Sequence, residues 1–125
     1  MQRVLLVILL LTSVACSWSA SQRVLEMDDS GSTIELEVGD TVTVRLHGNP
    51  TTGFVWLIED YDETMIVMTD QTYTETSGGR VGAAGMFEFE FEATRSGETD
   101  IELQYRRSWE EKPAERVFTV RLVIG

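Results

Sequence analysis

The segment Phe87-Glu88-Phe89-Glu90-Phe91-Glu92 decides the fold class, because apolar and acidic residues alternate along it with a period of two. Successive side chains of a β-strand point to opposite faces, so the pattern predicts a strand with phenylalanines on a core and carboxylates in water. This one-sided burial is typical of antiparallel sheets. We therefore expect the three glutamates to be solvated rather than catalytic.

Similar short apolar or alternating segments recur on both sides of this strand, separated by turns rich in Gly, Asp, Ser and Pro. No window of helical length carries apolar residues at helical spacing. Seven or eight strands in a chain of 125 residues predict an all-β, antiparallel β-sandwich. The antibody cysteine pair is absent, so any immunoglobulin likeness is architectural. The predicted strands are 34–38, 42–46, 54–58 (short and apolar, predicted to be buried on both faces), 65–68, 71–76, 86–93, 99–105 and 116–124.

The N-terminal residues predict export from the cell. Arg3 precedes an apolar run from Val4 to Val14 that is too short to span a bilayer, followed by small residues. We assign 1–15 to a signal peptide, 16–22 to a short tether and 23–125 to the domain. Cleavage before Cys16 permits either a lipid anchor on its thiol or simple secretion, so we expect a periplasmic or extracellular protein, with or without a membrane anchor.

Composition excludes several classes of function. The formal net charge of −11 argues against nucleic acid, and against charge-driven adhesion to anionic lipid. His47 is the only histidine and Cys16 the only cysteine, so neither a nucleophile–histidine pair nor a zinc site is supported. A single cysteine also excludes an intrachain disulfide. We expect no enzyme activity, no metal and no cofactor.

Two loops stand out between the predicted strands. In the loop from Asn49 to Phe54, Pro50 fixes its own φ and Gly53 permits angles that other residues avoid. Such a stiffened loop loses little entropy on binding, although a plain turn explains the residues about equally well. A second loop is built of small residues and ends at Gly85, which would let another backbone approach closely; a flexible hairpin connection is the competing interpretation.

A third loop follows the strand that ends near Tyr105. It places Trp109 among polar residues, and tryptophan and arginine are enriched among interface hot spots. A tryptophan that folds back onto its own domain is the competing interpretation.

Together the three loops resemble the chagasin family of cysteine peptidase inhibitors, which have an immunoglobulin-like sandwich of about this size. Asn49-Pro50-Thr51-Thr52-Gly53-Phe54 matches the family's N-P-T-T-G-[FY] motif in full. Gly82-Ala83-Ala84-Gly85 matches its G-x-G-G motif in part, because Ala84 replaces a glycine. Arg107-Ser108-Trp109 matches its R-P-[WF] motif with Ser108 in place of proline.

The resemblance implies a monomeric, reversible inhibitor of papain-like (C1 family) cysteine peptidases, which inserts three loops into the active-site cleft. Thr51 would lie over the catalytic Cys-His pair, the Gly82–Gly85 segment would follow one side of the cleft, and Trp109, oriented by Arg107, would pack on the other. Ala84 and Ser108 predict weaker or differently selective inhibition than the family norm. The alternative function is a secreted or lipid-anchored sandwich for adhesion or ligand recognition. The candidate peptidase-binding residues are Asn49, Pro50, Thr51, Thr52, Gly53, Phe54, Gly82, Ala83, Ala84, Gly85, Arg107, Ser108 and Trp109.

Overall fold

A computed structural model describes residues 20–76 and 84–125, which form two four-stranded sheets packed face to face. The predicted all-β sandwich is confirmed. The signal peptide at 1–15 and Cys16 lie outside the described residues. The strands are β1 (Gln22–Leu25), β2 (Thr33–Leu36), β3 (Thr41–Gly48), β4 (Phe54–Asp60), β5 (Ile66–Glu75), β6 (Gly85–Ala93), β7 (Gly97–Arg107) and β8 (Arg116–Ile124), with 3-10 turns at Met27–Asp29 and Pro50–Thr52.

One sheet has the strand order β1-β3-β6-β5 and the other β2-β8-β7-β4. The central pairs are antiparallel, as predicted. Two pairs at the sheet edges are parallel instead: β1 runs alongside β3, and β2 alongside β8. β1 lies outside the predicted strands, and its first residue, Gln22, falls at the end of the predicted tether. Only Leu25 of its four residues is buried, so β1 carries no alternating pattern.

The Phe87–Glu92 segment lies in β6, at the centre of its sheet between β3 and β5. Phe89 and Phe91 are fully buried between the sheets, whereas the glutamates remain partly exposed on the outer face. Glu88 forms an ion pair with Arg45 of β3 at 3.0 Å. The alternation therefore reports the two faces of a central strand, as expected. The largest fully buried side chains of the core are Trp56, Phe89, Phe91, Phe118, Leu46, Ile66, Ile101, Leu103 and Leu122.

The prediction that residues 54–58 are buried on both faces is wrong. The segment begins β4, an edge strand that pairs only with β7, and Trp56 is its only fully buried residue. The other apolar residues of β4 are half-buried, because neither a second strand nor a second sheet covers its outer side. A run of apolar residues can thus mark an edge strand with one buried anchor.

Two segments predicted as separate strands, 65–68 and 71–76, belong to the single strand β5. Its register against β6 shifts between Met68 and Asp70, which is the signature of a β-bulge. The extra residue interrupts the alternation of period two, so the sequence pattern predicts two strands where the structure has one.

The two ends of the sandwich carry different features. At one end, which we call the loop end, β3, β4, β7 and β8 are joined by two of the candidate segments. At the other, which we call the terminal end, both ends of the domain leave the sheets: β1 starts opposite Thr41 and β8 finishes opposite Gly97. Asp40 ties this end together, because its carboxylate accepts the backbone N–H groups of Ser21 at 2.8 Å and Glu37 at 2.9 Å.

These bonds make Asp40 a source of acid sensitivity. The backbone N–H of Glu37, and then that of Ser21, holds the pKa of the Asp40 carboxyl below its ordinary value of 3.8. A lowered native-state pKa stabilises the fold above the unfolded pKa, and this contribution is lost as the pH falls through the native value. We expect Asp40→Asn to lower the melting temperature at pH 7, and the difference from the wild type to shrink below about pH 3.8. Thermal unfolding at several pH values measures this. Asp28→Asn, at an exposed acid, is the control; a pH-independent effect of Asp40→Asn would contradict the assignment.

Candidate functional site

Strand pairing brings the described parts of the three candidate segments to one end of the sandwich. Gly48, the last residue of β3, pairs with Gly85, the first of β6. Phe54, the first residue of β4, pairs with Arg107, the last of β7. Residues 49–53, here called loop 1, cross from one sheet to the other. Loop 1 is therefore flanked by the start of β6 on one side and by residues 108–115, here called loop 3, on the other.

Loop 1 is closed by its own hydrogen bonds. The Asn49 side-chain oxygen accepts the backbone N–H of Thr51 at 3.1 Å and its hydroxyl at 2.6 Å. The Thr52 hydroxyl donates to the Asn49 carbonyl at 2.9 Å, and the Gly53 N–H donates to the Pro50 carbonyl at 2.9 Å. Gly53 has a φ of +83°, which favours glycine. The loop is thus a capped 3-10 turn with both threonines exposed.

Tyr105 of β7 supports loop 1 from below. Its phenolic oxygen accepts the backbone N–H of Asn49 at 2.9 Å. Its ring stacks on Phe54, with 5.5 Å between centroids, and tilts against Trp56 at 5.2 Å. A Cβ at Gly48 would lie 2.7 Å from the Phe87 ring and 3.0 Å from the Tyr105 ring. The absence of a side chain at Gly48 therefore lets the backbone rest directly on the two rings.

The second candidate segment is only partly described. Gly82 and Ala83 lie outside the described residues. Ala84 is exposed, and its carbonyl accepts the Thr76 hydroxyl at 2.9 Å. Gly85 is buried directly beneath Tyr73 of the neighbouring strand β5, where any Cβ would overlap the phenol ring. The backbone at Gly85 is therefore fixed, while the Ala84 methyl stands at the surface.

Arg107 joins loop 3 to loop 1. Its Nε donates to the Thr52 carbonyl at 2.9 Å, and its Nη1 contacts the Glu110 carboxylate at 3.1 Å. The guanidinium also lies 4.5 Å above the Phe54 ring. Arg107 therefore contacts both loop 1 and loop 3 at their junction.

Trp109 is 69% exposed, the largest exposed fraction among the large apolar side chains of the described residues. The structure does not place it in the core. Its ring rests against loop 1 instead, close enough that a Cβ at Gly53 would overlap it. Ser108 beside it is also exposed. Trp109 is thus an apolar surface already held against the neighbouring loop.

Sequence reasoning missed the residues that support the loops. The sequence places Tyr73, Tyr105 and Arg116 only within or at the ends of predicted strands. Their partners lie far away in the chain, so no local motif marks them. Among the described residues, no cluster of acidic, histidine or cysteine side chains could hold a metal ion. No helix within residues 20–76 and 84–125 has the length and apolar character required to cross a membrane.

The described residues therefore form a two-sheet β-sandwich whose loops 1 and 3 are interlocked and exposed at one end. Comparison with known proteins identifies its family. The profile of the chagasin family of peptidase inhibitors, described as family I42, matches residues 35–122. The chain therefore belongs to the chagasin family.

Individual relatives support this assignment. Amoebiasin-1 of Entamoeba histolytica is 33% identical over 101 residues, which cover 78% of this chain and 95% of that protein. Chagasin of Trypanosoma cruzi is 31% identical over 85 residues, covering 64% of this chain and 76% of chagasin. The crystal structure of EhICP2, a cysteine protease inhibitor of Entamoeba histolytica, superposes with a TM-score of 0.79 at 28% identity, covering 85% of this chain and 97% of EhICP2.

The support of loop 1 by Tyr105 can be tested directly. Tyr105→Phe removes the acceptor of the Asn49 N–H without removing the ring, so we expect a loss of about 1 kcal/mol in the free energy of unfolding. Chemical denaturation measures the change. Tyr61→Phe is the matched control, because the Tyr61 ring also packs in the sandwich, against Phe91 at 5.6 Å. Equal losses for the two variants would show that the hydroxyl of Tyr105 has no special role.

Proposed function

We propose that this protein is a reversible inhibitor of papain-like (C1 family) cysteine peptidases that acts by inserting its loop end into the active-site cleft. The observation that carries the proposal is the interlocking of loops 1 and 3 by Arg107, above the Tyr105 support of loop 1. Membership of a family of peptidase inhibitors supports the same conclusion. Because these contacts hold loops 1 and 3 in the free protein, these two loops lose little entropy on association.

Loop 1 blocks the cleft without offering a substrate. Attack on a peptide bond requires the reacting atoms to lie in a near-attack geometry. Residues 50–52 form a closed turn whose backbone is held by Asn49 and by the Pro50 carbonyl. Thr51 at its tip presents a hydroxyl whose hydrogen is already donated to Asn49. The turn fills the space over the catalytic Cys-His pair and resists cleavage because it does not open into an extended strand.

The two flanks bind by different physical means. The family resemblance implies that the Gly82–Gly85 segment lies along one wall of the cleft by backbone contact, and the exposed Ala84 methyl would limit how closely it comes. Trp109 packs on an apolar or aromatic surface of the other wall. With Ser108 beside it in place of proline, its order depends on its contact with Gly53 and on the anchoring of Arg107.

The protein performs no chemistry of its own in this proposal. It needs neither metal nor cofactor, and it acts as a monomer that buries about 800 Å² of its own surface, the usual size of a specific interface.

Titration of the purified domain against papain or a cathepsin tests inhibition directly. Absence of inhibition at micromolar concentration would contradict the proposal.

The adhesion or ligand-recognition module is the competing function, and family membership does not favour it. The two functions differ in what blocks binding. A cleft-directed inhibitor loses its binding when a covalent small inhibitor occupies the peptidase active site, whereas a recognition module retains it.

Trp109 provides the sharpest test of the binding edge. We expect Trp109→Ala to raise the inhibition constant by at least about thirtyfold, a hot-spot loss of about 2 kcal/mol. Val38→Ala is the control: Val38 is 52% exposed and follows β2 at the terminal end, away from loops 1 and 3. An unchanged inhibition constant for Trp109→Ala would remove this side chain from the interface.

We also propose that the protein is exported and carries its anchor, if Cys16 is acylated, at the end remote from the peptidase. The direction of β1 supports this arrangement, because the chain enters the sandwich beside Asp40 at the terminal end. An anchor there would direct loops 1 and 3 away from the membrane. The mass of the mature N-terminus tests the proposal: we expect a chain beginning at Cys16 with added acyl groups. A first residue after Cys16 would favour simple secretion.

A further inference from the structure

Arg116, the first residue of β8, lies directly beneath the start of loop 1. Its guanidinium carbon is 4.5 Å from the centroid of the Tyr105 ring and 5.6 Å from that of Trp56. Its Nη2 contacts the His47 carbonyl at 3.4 Å. One side chain therefore contacts both aromatic rings under loop 1 and the backbone of the strand that leads into the loop.

Arg116 makes different contacts from the four arginines of the described residues that form ion pairs. Within residues 20–76 and 84–125, Arg45, Arg106, Arg107 and Arg121 each form an ion pair with a carboxylate, and Arg116 forms none. A guanidinium within about 6 Å of a ring centroid is attracted by the ring, and both rings satisfy this distance. The side chain is thus held by Tyr105 and Trp56 rather than by an acid.

These contacts act on two backbone groups that flank Gly48. On one side, the His47 carbonyl accepts the Trp56 indole N–H at 3.0 Å in addition to Arg116. On the other, the Asn49 N–H donates to Tyr105. Gly48 has no side chain of its own, so these two bonds add to its pairing with Gly85 in fixing the backbone at the entry into loop 1. Arg116 therefore contacts the Tyr105 ring, whose hydroxyl accepts the Asn49 N–H, and it shares the His47 carbonyl with the Trp56 indole.

We propose that Arg116 is a positioning residue for peptidase inhibition, which fixes the entry into loop 1 by clamping Tyr105 and the His47 carbonyl. The inference rests on the proposed function, but the clamp itself exists in the free protein. The proposal predicts that loss of the planar Arg116 cation weakens the hydrogen bond from the Asn49 N–H to Tyr105 without unfolding the domain. The inhibitor should then dissociate faster from its target.

The experiment compares Arg116→Gln with Arg121→Gln in the purified domain. Arg121 lies on the same strand, is exposed and pairs with Asp100 at 3.1 Å, so it is a matched arginine away from the loop end. In the free protein, NMR hydrogen exchange should show the Asn49 amide exchanging about fivefold faster in Arg116→Gln and unchanged in Arg121→Gln. The inhibition constant against papain should rise by a similar factor, through the dissociation rate. Arg116→Lys, which keeps the charge but loses the planar stack, should be intermediate in both measurements and serves if Arg116→Gln does not fold.

The outcomes separate the possibilities. A raised inhibition constant with unchanged Asn49 exchange would overturn the proposal, because Arg116 would then contact the peptidase directly. Uniformly faster exchange throughout the domain would also overturn it, because the role would be global stability. If the wild type inhibits no papain-like peptidase and Asn49 exchange still responds selectively, the clamp stands and the proposed function fails.

Discussion

The candidate binding edge depends on the absence of a side chain at Gly48. Here the chain leaves one sheet and crosses to the other, and the rings of Phe87 and Tyr105 occupy the space that a Cβ would need. Because the backbone lies directly on these rings, the Tyr105 hydroxyl reaches the Asn49 N–H and loop 1 is held at a fixed height above the core. A larger residue would lift the crossing and separate the loop from its support.

The same arrangement of glycine and aromatic ring recurs at the other two contacts of the edge. Gly85 lies beneath Tyr73 of β5, and Gly53 lies against Trp109 of loop 3. In each case the ring comes from a different element than the glycine, so the contact links two segments rather than stiffening one. Only Gly53 requires a positive φ; Gly48 and Gly85 are needed for close approach. Glycine usually increases backbone flexibility, but at these positions it allows close packing against a ring, and that packing restricts the backbone.

The features of the fold that local sequence patterns encode could be predicted from the sequence. The alternation of β6 identified the sandwich, because period-two burial is a property of a single strand. The interruption of β5 by its bulge and the edge position of β4 depend on the partner strands, so they could not be read from either segment alone. The three motifs predicted the loop end as the candidate binding edge through a family resemblance. Their supports, Tyr73, Tyr105 and Arg116, make contacts across strands and sheets, and no local signal marks them.

The third loop shows how structure can offset a motif that departs from the family pattern. Ser108 lacks the proline ring that would restrict the backbone before Trp109, which on its own increases the entropy lost on binding. Arg107, the residue before it, is nevertheless restrained by the Thr52 carbonyl, the Glu110 carboxylate and the Phe54 ring. Trp109 itself already rests on Gly53 while 69% of its surface stays in water. Much of the ordering is therefore present before association, and the exposed part of the ring remains available for apolar burial at about 25 cal/mol per Å². The cost of Ser108 should accordingly be smaller than the missing proline alone suggests.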